Sequence, residues 1–236
     1  MCGIGTHNWQ MRLKSWVSWL YGVPLLGLAG LTLFANPAVA GKSQLRLEPS
    51  AFRIIPSESG PVNYFRRMES PAGEFIRASY EPPIKTAVLG FEIPDEFKHD
   101  VKSLSWRWRA QALPTGGYEC VKAKSDSAAV VYVSWRRGLR WYALKYVWST
   151  TAPKGTVCEK KRNPFRAQDT IVLESGGPLN EWRAVRLDPD AEFRKHFEDG
   201  DAKAEVPALI GVALMSDGDQ TGTKSSADYG DFLLAK

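Results

Sequence analysis

The feature that most limits this chain is a close succession of short runs rich in Val, Ile, Tyr, Trp and Phe, cut by Pro, Gly, Asn, Asp and Ser. SLSWRWRAQ, AAVVYVSW, LRWYALKYVW and ALIGVALMS have the length and composition of strands. KSLSWRWRA has a period of two: Leu104, Trp106, Trp108 and Ala110 fall on one side, Ser103, Ser105, Arg107 and Arg109 on the other. That is a half-buried strand. AAVVYVSW and RWYALKYVW are apolar on both faces, as central strands are, and Gly138 between them marks a hairpin turn. Only LDPDAEFRKHF has the marks of a helix. Asp188 is its N-cap, Pro189 its first residue, and Phe193 and Phe197 share a face. About ten strands with one short helix near residues 189–197 predict an all-β fold, an antiparallel, jelly-roll-like β-sandwich.

The N-terminus has a different composition. Arg12 and Lys14 precede an apolar run from Trp16 to Phe34, and Ala38-Val39-Ala40 follows. A basic flank, an apolar stretch and an A-x-A site describe a secretory signal peptide. We therefore expect residues 1–40 to be a cleaved leader and residues 41–236 to be a single sandwich domain, periplasmic or secreted. The rival reading is an uncleaved membrane anchor, since a span needs roughly 20 apolar residues. Gly27, Gly30 and Pro24 argue against it, so no membrane association is expected after cleavage. Removing Arg12 and Lys14 lowers the net charge from +5 to +3. So mild an excess, without a basic stripe, does not describe a nucleic-acid-binding surface. Cys120 and Cys158 remain, each in a polar loop segment. In an exported chain such a pair is expected to form a disulfide. Neither has the CxxC or nearby His partner of a zinc site.

At WRWRAQALP, AAVVYVSW, YVWS, NPF, MSDGDQTG and ADYGDFLL, from roughly Phe52 to Leu234, the chain resembles the bacterial domain of unknown function 3047, a group of exported proteins. The resemblance implies a sandwich fold and export, and brings no established activity. Its Trp-Arg strand motif falls on Trp108 and Arg109. Its acidic pair falls on Ser125 and Asp126, so one acid is missing, and an arginine of the next strand is replaced by Val130. Its D-x-D-x-T loop falls on Asp217, Asp219 and Thr221, and its closing Tyr-Gly-Asp on Tyr229, Gly230 and Asp231. The changes at Ser125 and Val130 imply that any polar site at those positions is altered here.

Several residues are candidates for ligand contact. Trp135 and Trp141 flank the Gly138 turn, with Arg136, Arg137 and Arg140 beside them. Exposed indoles there would stack on sugar rings, and arginines would bind acidic groups. The alternative is a charged turn capped by amphipathic aromatics. Arg107 and Arg109 lie on the polar side of their strand and invite pairing with Asp126, Asp217 or Asp231. Asp217 and Asp219 point the same way along an extended chain. They are expected to order their loop through backbone amides and Arg107 or Arg109. Calcium, which takes 6–8 oxygens, is the weaker reading, and no other cofactor is expected.

The chain lacks G-x-S-x-G, HExxH and a glycine-rich phosphate loop. The expectation is an exported, non-catalytic sandwich that binds an envelope ligand, foremost a glycan. A polysaccharide hydrolase using paired Asp residues and a structural envelope component that binds another protein are the alternatives. The oligomeric state is not legible.

Overall fold

The computed structural model describes residues 43–56 and 62–236, all within one unit, Ala40–Lys236. The expected leader lies outside the described residues. Among those described, no helix is long and apolar enough to cross a membrane. In chain order the strands are β1 Gln44–Arg46, β2 Arg53–Ile54, β3 Phe65–Ser70, β4 Gly73–Tyr80, β5 Leu89–Glu92, β6 Ser103–Ala112 and β7 Ala129–Arg137. They continue as β8 Arg140–Ser149, β9 Val157–Arg162, β10 Arg166–Ser175, β11 Arg183–Leu187, β12 Ala208–Met215 and β13 Ser225–Ala235; helix α1 is Pro189–Phe197.

The strands form two sheets. The first runs β11-β6-β13-β4-β3, with β1 also pairing β13; the second runs β2-β5-β12-β7-β8-β10-β9. Their inner faces share one core, which makes the fold a β-sandwich,. The alternation of β6 is realised: Leu104, Trp106, Trp108 and Ala110 are all in that core. Tyr229 crosses from β13 to the other sheet. Its hydroxyl donates to Met215 O at 2.6 Å and accepts from Val130 N at 3.0 Å. Those two residues are register partners on β12 and β7, so one phenol fixes the spacing of the sheets. The two strands that are apolar on both faces, β7 and β8, lie inside the second sheet, where a smaller apolar cluster around Val130, Val147 and Val172 covers the outer side.

Helix α1 spans the expected residues. The Asp188 carboxylate accepts from Asp190 N and Ala191 N, and Phe193 and Phe197 close on Trp135 and Tyr142 of the second sheet. The hairpin turns at Gly138, whose φ is +57°, with Arg137 opposite Arg140. Two features depart from the sequence expectation. The pairing of β8 with β10 is parallel, an exception to the antiparallel pattern. It arises because β9 passes β10 and pairs on its far side, as an antiparallel edge. β9 itself, VCEKKR, is too charged to have been recognised as a strand. The disulfide between Cys120 and Cys158 is formed, with Cα atoms 5.0 Å apart. It ties the loop before β7 to that edge strand.

Candidate functional site

The D-x-D-x-T loop leaves β12 and docks on the loop before β7. Asp126 accepts from Gln220 N at 3.3 Å and from Thr221 N at 2.7 Å. Ser125, where the family has an acid, gives its N–H and hydroxyl to Gln220 Oε1 at 3.1 and 3.0 Å. Gly218 is required here, because a Cβ would lie 2.0 Å from Thr223 O. The fold brings Asp126, Asp217 and Asp219 together, with carboxylate oxygens within 4.8 Å of one another. Asp217 is 6% exposed. Burial pushes its pKa up to about 8; Lys145 of β8 opposes that shift, and Asp219 and Asp126 reinforce it,. Its hydrogen bond from Asp219 N is long, at 3.5 Å. The three carboxylates are the residues that could hold a cation. Calcium requires 6–8 oxygens, however, and Asp126 already serves two amides while Lys145 supplies positive charge beside Asp217.

The expected partners of this loop are corrected in one respect. Arg107 and Arg109 do not reach Asp217 or Asp219. They lie on the outer face of the first sheet, because the inner face of β6 is filled by Trp106 and Trp108. There Arg109 faces Asp228 and Trp108 faces Tyr229 in the β6–β13 register. Asp228 is fully buried. It accepts from Arg77 Nε and Nη2 at 2.7 and 2.9 Å, from Arg109 Nε at 2.8 Å and from Gln111 Nε2 at 2.9 Å. Asp231 has a φ of +55°, a conformation Asp tolerates better than most residues. It pairs with Arg107 at 2.6 Å and with Arg46 at 3.3 Å. Above this layer lies Trp182, half-buried, just before β11. The Arg107 and Arg109 guanidiniums sit 4.4 and 4.6 Å from its ring centre, and Phe75 meets it edge-on at 5.7 Å.

The hairpin pair is also corrected. Trp135 is fully buried and cannot stack on a ligand. A two-residue turn sets Trp135 opposite Tyr142 and Arg136 opposite Trp141, so the two indoles face opposite sides of the sheet. Trp141 remains half-buried on the outer side, with the Arg136 guanidinium 5.0 Å from its ring. Arg137 is bound to Glu198 and to Glu205 O.

The candidates thus divide into three places: Asp126 with Asp217 and Asp219, Arg107 with Arg109 and Asp231, and Arg136 with Trp141. Sequence reasoning missed Lys145 and Trp182. A lone lysine inside RWYALKYVW did signal a buried counter-charge, since a central strand has no other use for one. Trp182 sits in a turn segment with no periodicity to place it.

The family described as "Protein of unknown function (DUF3047)" matches residues 85–233, and the chain belongs to it. No curated protein matches the sequence. Among solved structures, a family 11 carbohydrate-binding module from Clostridium thermocellum, in complex with a β-1,3-1,4-mixed-linked tetrasaccharide, is 9% identical. It aligns over 86% of this chain and 92% of that one, with a TM-score of 0.36. The xyloglucanase domain of NopAA, a type three effector from Sinorhizobium fredii, in complex with cellobiose, is 10% identical over 83% and 98%, with a TM-score of 0.42. Trichoderma harzianum endoglucanase 3 of family GH12 is 10% identical over 84% and 99%, with a TM-score of 0.43. At such identities, a shared sandwich says nothing of a shared activity.

Proposed function

From its membership of that family we infer no activity; from its surface we propose that this is an exported, non-catalytic sandwich protein that binds an envelope glycan on the outer face of the β11-β6-β13-β4-β3 sheet. The observation that carries this reading is Trp182, an indole held against Arg107 and Arg109 with part of its surface still open. An aromatic face with guanidinium and carboxylate groups around it offers what a sugar needs: stacking for the ring and charged partners for the hydroxyls. Export is supported by the A-x-A leader and by the disulfide, which is at home in an oxidising compartment,. The absence of catalysis is supported by the state of the carboxylates. Asp126 is committed to two backbone amides and Asp217 is buried, so neither is free to face a scissile bond.

A glycan array with wild type and Trp182→Ala tests this. Binding that is present in the wild type and lost in a variant that still folds is expected. Equal binding by both would refute it. One observation favours the hydrolase instead: Asp217, pushed up to about 8 by burial beside Asp126 and Asp219, has the raised pKa of a general acid. Release of reducing sugar by the wild type and not by Asp217→Asn would establish that reading. A co-purifying protein with no sugar binding would favour a structural envelope role.

A further inference from the structure

Two turns lie side by side at one end of the second sheet. β7 and β8 turn at Gly138 and Leu139, with Arg137 opposite Arg140. β9 and β10 turn between Arg162 and Ala167, where the Asn163 side-chain oxygen accepts from Phe165 N at 2.9 Å and from Arg166 N at 2.7 Å. Because β8 and β10 run parallel, with Trp141 opposite Arg166, both turns are at the same end, and Trp141 N donates to Phe165 O at 2.9 Å. Each tip carries a large apolar residue in the open. Leu139 is 75% exposed and Phe165 65%, while no other large apolar side chain among the described residues exceeds 45%. Turns are ordinarily built from Gly, Asn, Asp, Ser and Pro, and neither residue belongs to the core. Half-buried Trp141 stands just behind them.

The same segments are basic. Residues 136–141 hold three arginines, residues 160–166 hold Lys160, Lys161, Arg162 and Arg166, and neither segment holds an acid. Asp169 and Glu198, which pair with Arg162 and Arg137, and the adjoining Glu159 and Asp199 offset part of that charge and leave an excess of positive. The acidic D-x-D-x-T loop is at the opposite end of the sandwich, since β12 starts with Ala208 beside Arg136 and enters that loop after Met215. Apolar groups outermost with cations behind them match a bilayer, where anionic headgroups overlie hydrocarbon. Tryptophan suits the boundary between the two. A single exposed leucine needs no explanation; an apolar pair on adjacent tips within a basic field does. We propose that these turns dock the protein on the surface of an anionic phospholipid bilayer, with Leu139 and Phe165 entering the headgroup layer. The contact is peripheral and independent of the leader, on whose loss the expectation of no membrane association rests.

Vesicle flotation of the protein recovered after export tests the proposal. The wild type should partition onto equimolar phosphatidylcholine and phosphatidylglycerol at least about tenfold more strongly than onto phosphatidylcholine alone, and salt should weaken the binding. Leu139→Ser/Phe165→Ser and, separately, Arg136→Gln/Arg140→Gln should each weaken it at least about tenfold. Leu139 and Phe165 are exposed, so their double variant should still fold, which thermal denaturation checks. Trp182 lies beside the first sheet, against Arg107 and Arg109. Trp182→Ala should therefore leave flotation unchanged, and failure of the glycan reading leaves this one standing. Equal partition onto the neutral vesicles, or unchanged partition in either double variant, overturns the proposal. So does a wild type that does not float but forms a concentration-dependent dimer in sedimentation velocity, dissolved by Leu139→Ser/Phe165→Ser, since the tips would then meet a second copy of the chain.

Discussion

Asp228 and Asp217 are both buried aspartates, and the protein deals with them in opposite ways. Asp228 receives four hydrogen bonds from two arginines and a glutamine. Asp217 receives one long amide bond and has two further acids beside it. A buried carboxylate must be paired or must take up a proton. The first is resolved by pairing, and the second by a pKa pushed up to about 8. The sheet face is therefore built around a paired charge, and the loop end around a carboxyl group whose affinity for its proton is raised by burial.

The largest effect that could break this contrast is expected from Asp228→Ala. It leaves Arg77 and Arg109 facing each other without their carboxylate. Losing one partner of a buried pair costs about 3–5 kcal/mol. The melting temperature should fall by roughly 6–20 °C for a domain of this size. A fall of only a degree or two in thermal denaturation would mean that the pairing is not what settles Asp228.

The disulfide offers a somewhat smaller and more local test. Cys120 lies in the same loop as Asp126, so Cys120→Ala/Cys158→Ala loosens the acidic end and leaves the arginine layer alone. A stability loss of about 2–4 kcal/mol is expected. Native-state amide exchange should quicken at Gln220 and Thr221, whose N–H groups Asp126 accepts, and not at Asp228 or Tyr229. Uniform quickening would show the two regions to be one cooperative unit.

A third test sharpens the contrast through pH. Asp217 has a folded pKa of about 8 against an ordinary 3.8. Between those values the folded protein holds the extra proton, so stability declines as pH rises through that window and levels off above it. Asp217→Asn, which imitates the protonated group, should melt with the wild type near the acid end of the window and above it near pH 8. Asp219→Asn removes a neighbouring charge that raises Asp217, so it should move the decline to lower pH. Parallel melting curves across pH for wild type and Asp217→Asn would show that Asp217 does not hold the proton.

Legibility followed periodicity. The inward set Leu104, Trp106, Trp108 and Ala110 was visible because a strand repeats every two residues. α1 was visible because Asp188 and Pro189 mark its start. Trp135 was misjudged because the face of a hairpin residue depends on where the turn closes, and that register is fixed by cross-strand contacts. The parallel β8–β10 pairing leaves no local mark at all. The family motifs held the acidic loop together correctly but scattered Arg109, Asp217 and Asp231 over separate surfaces. A motif records which residues recur and not which of them meet.

β13 lies in the middle of the first sheet, between β6 and β4. During synthesis those two strands leave the ribosome long before Ser225–Ala235 does, and until then each presents an unpaired edge. The first sheet is therefore complete only once its last-made strand is in place. Until β13 arrives, the two halves of the sheet expose β-edges that a holding chaperone would have to cover.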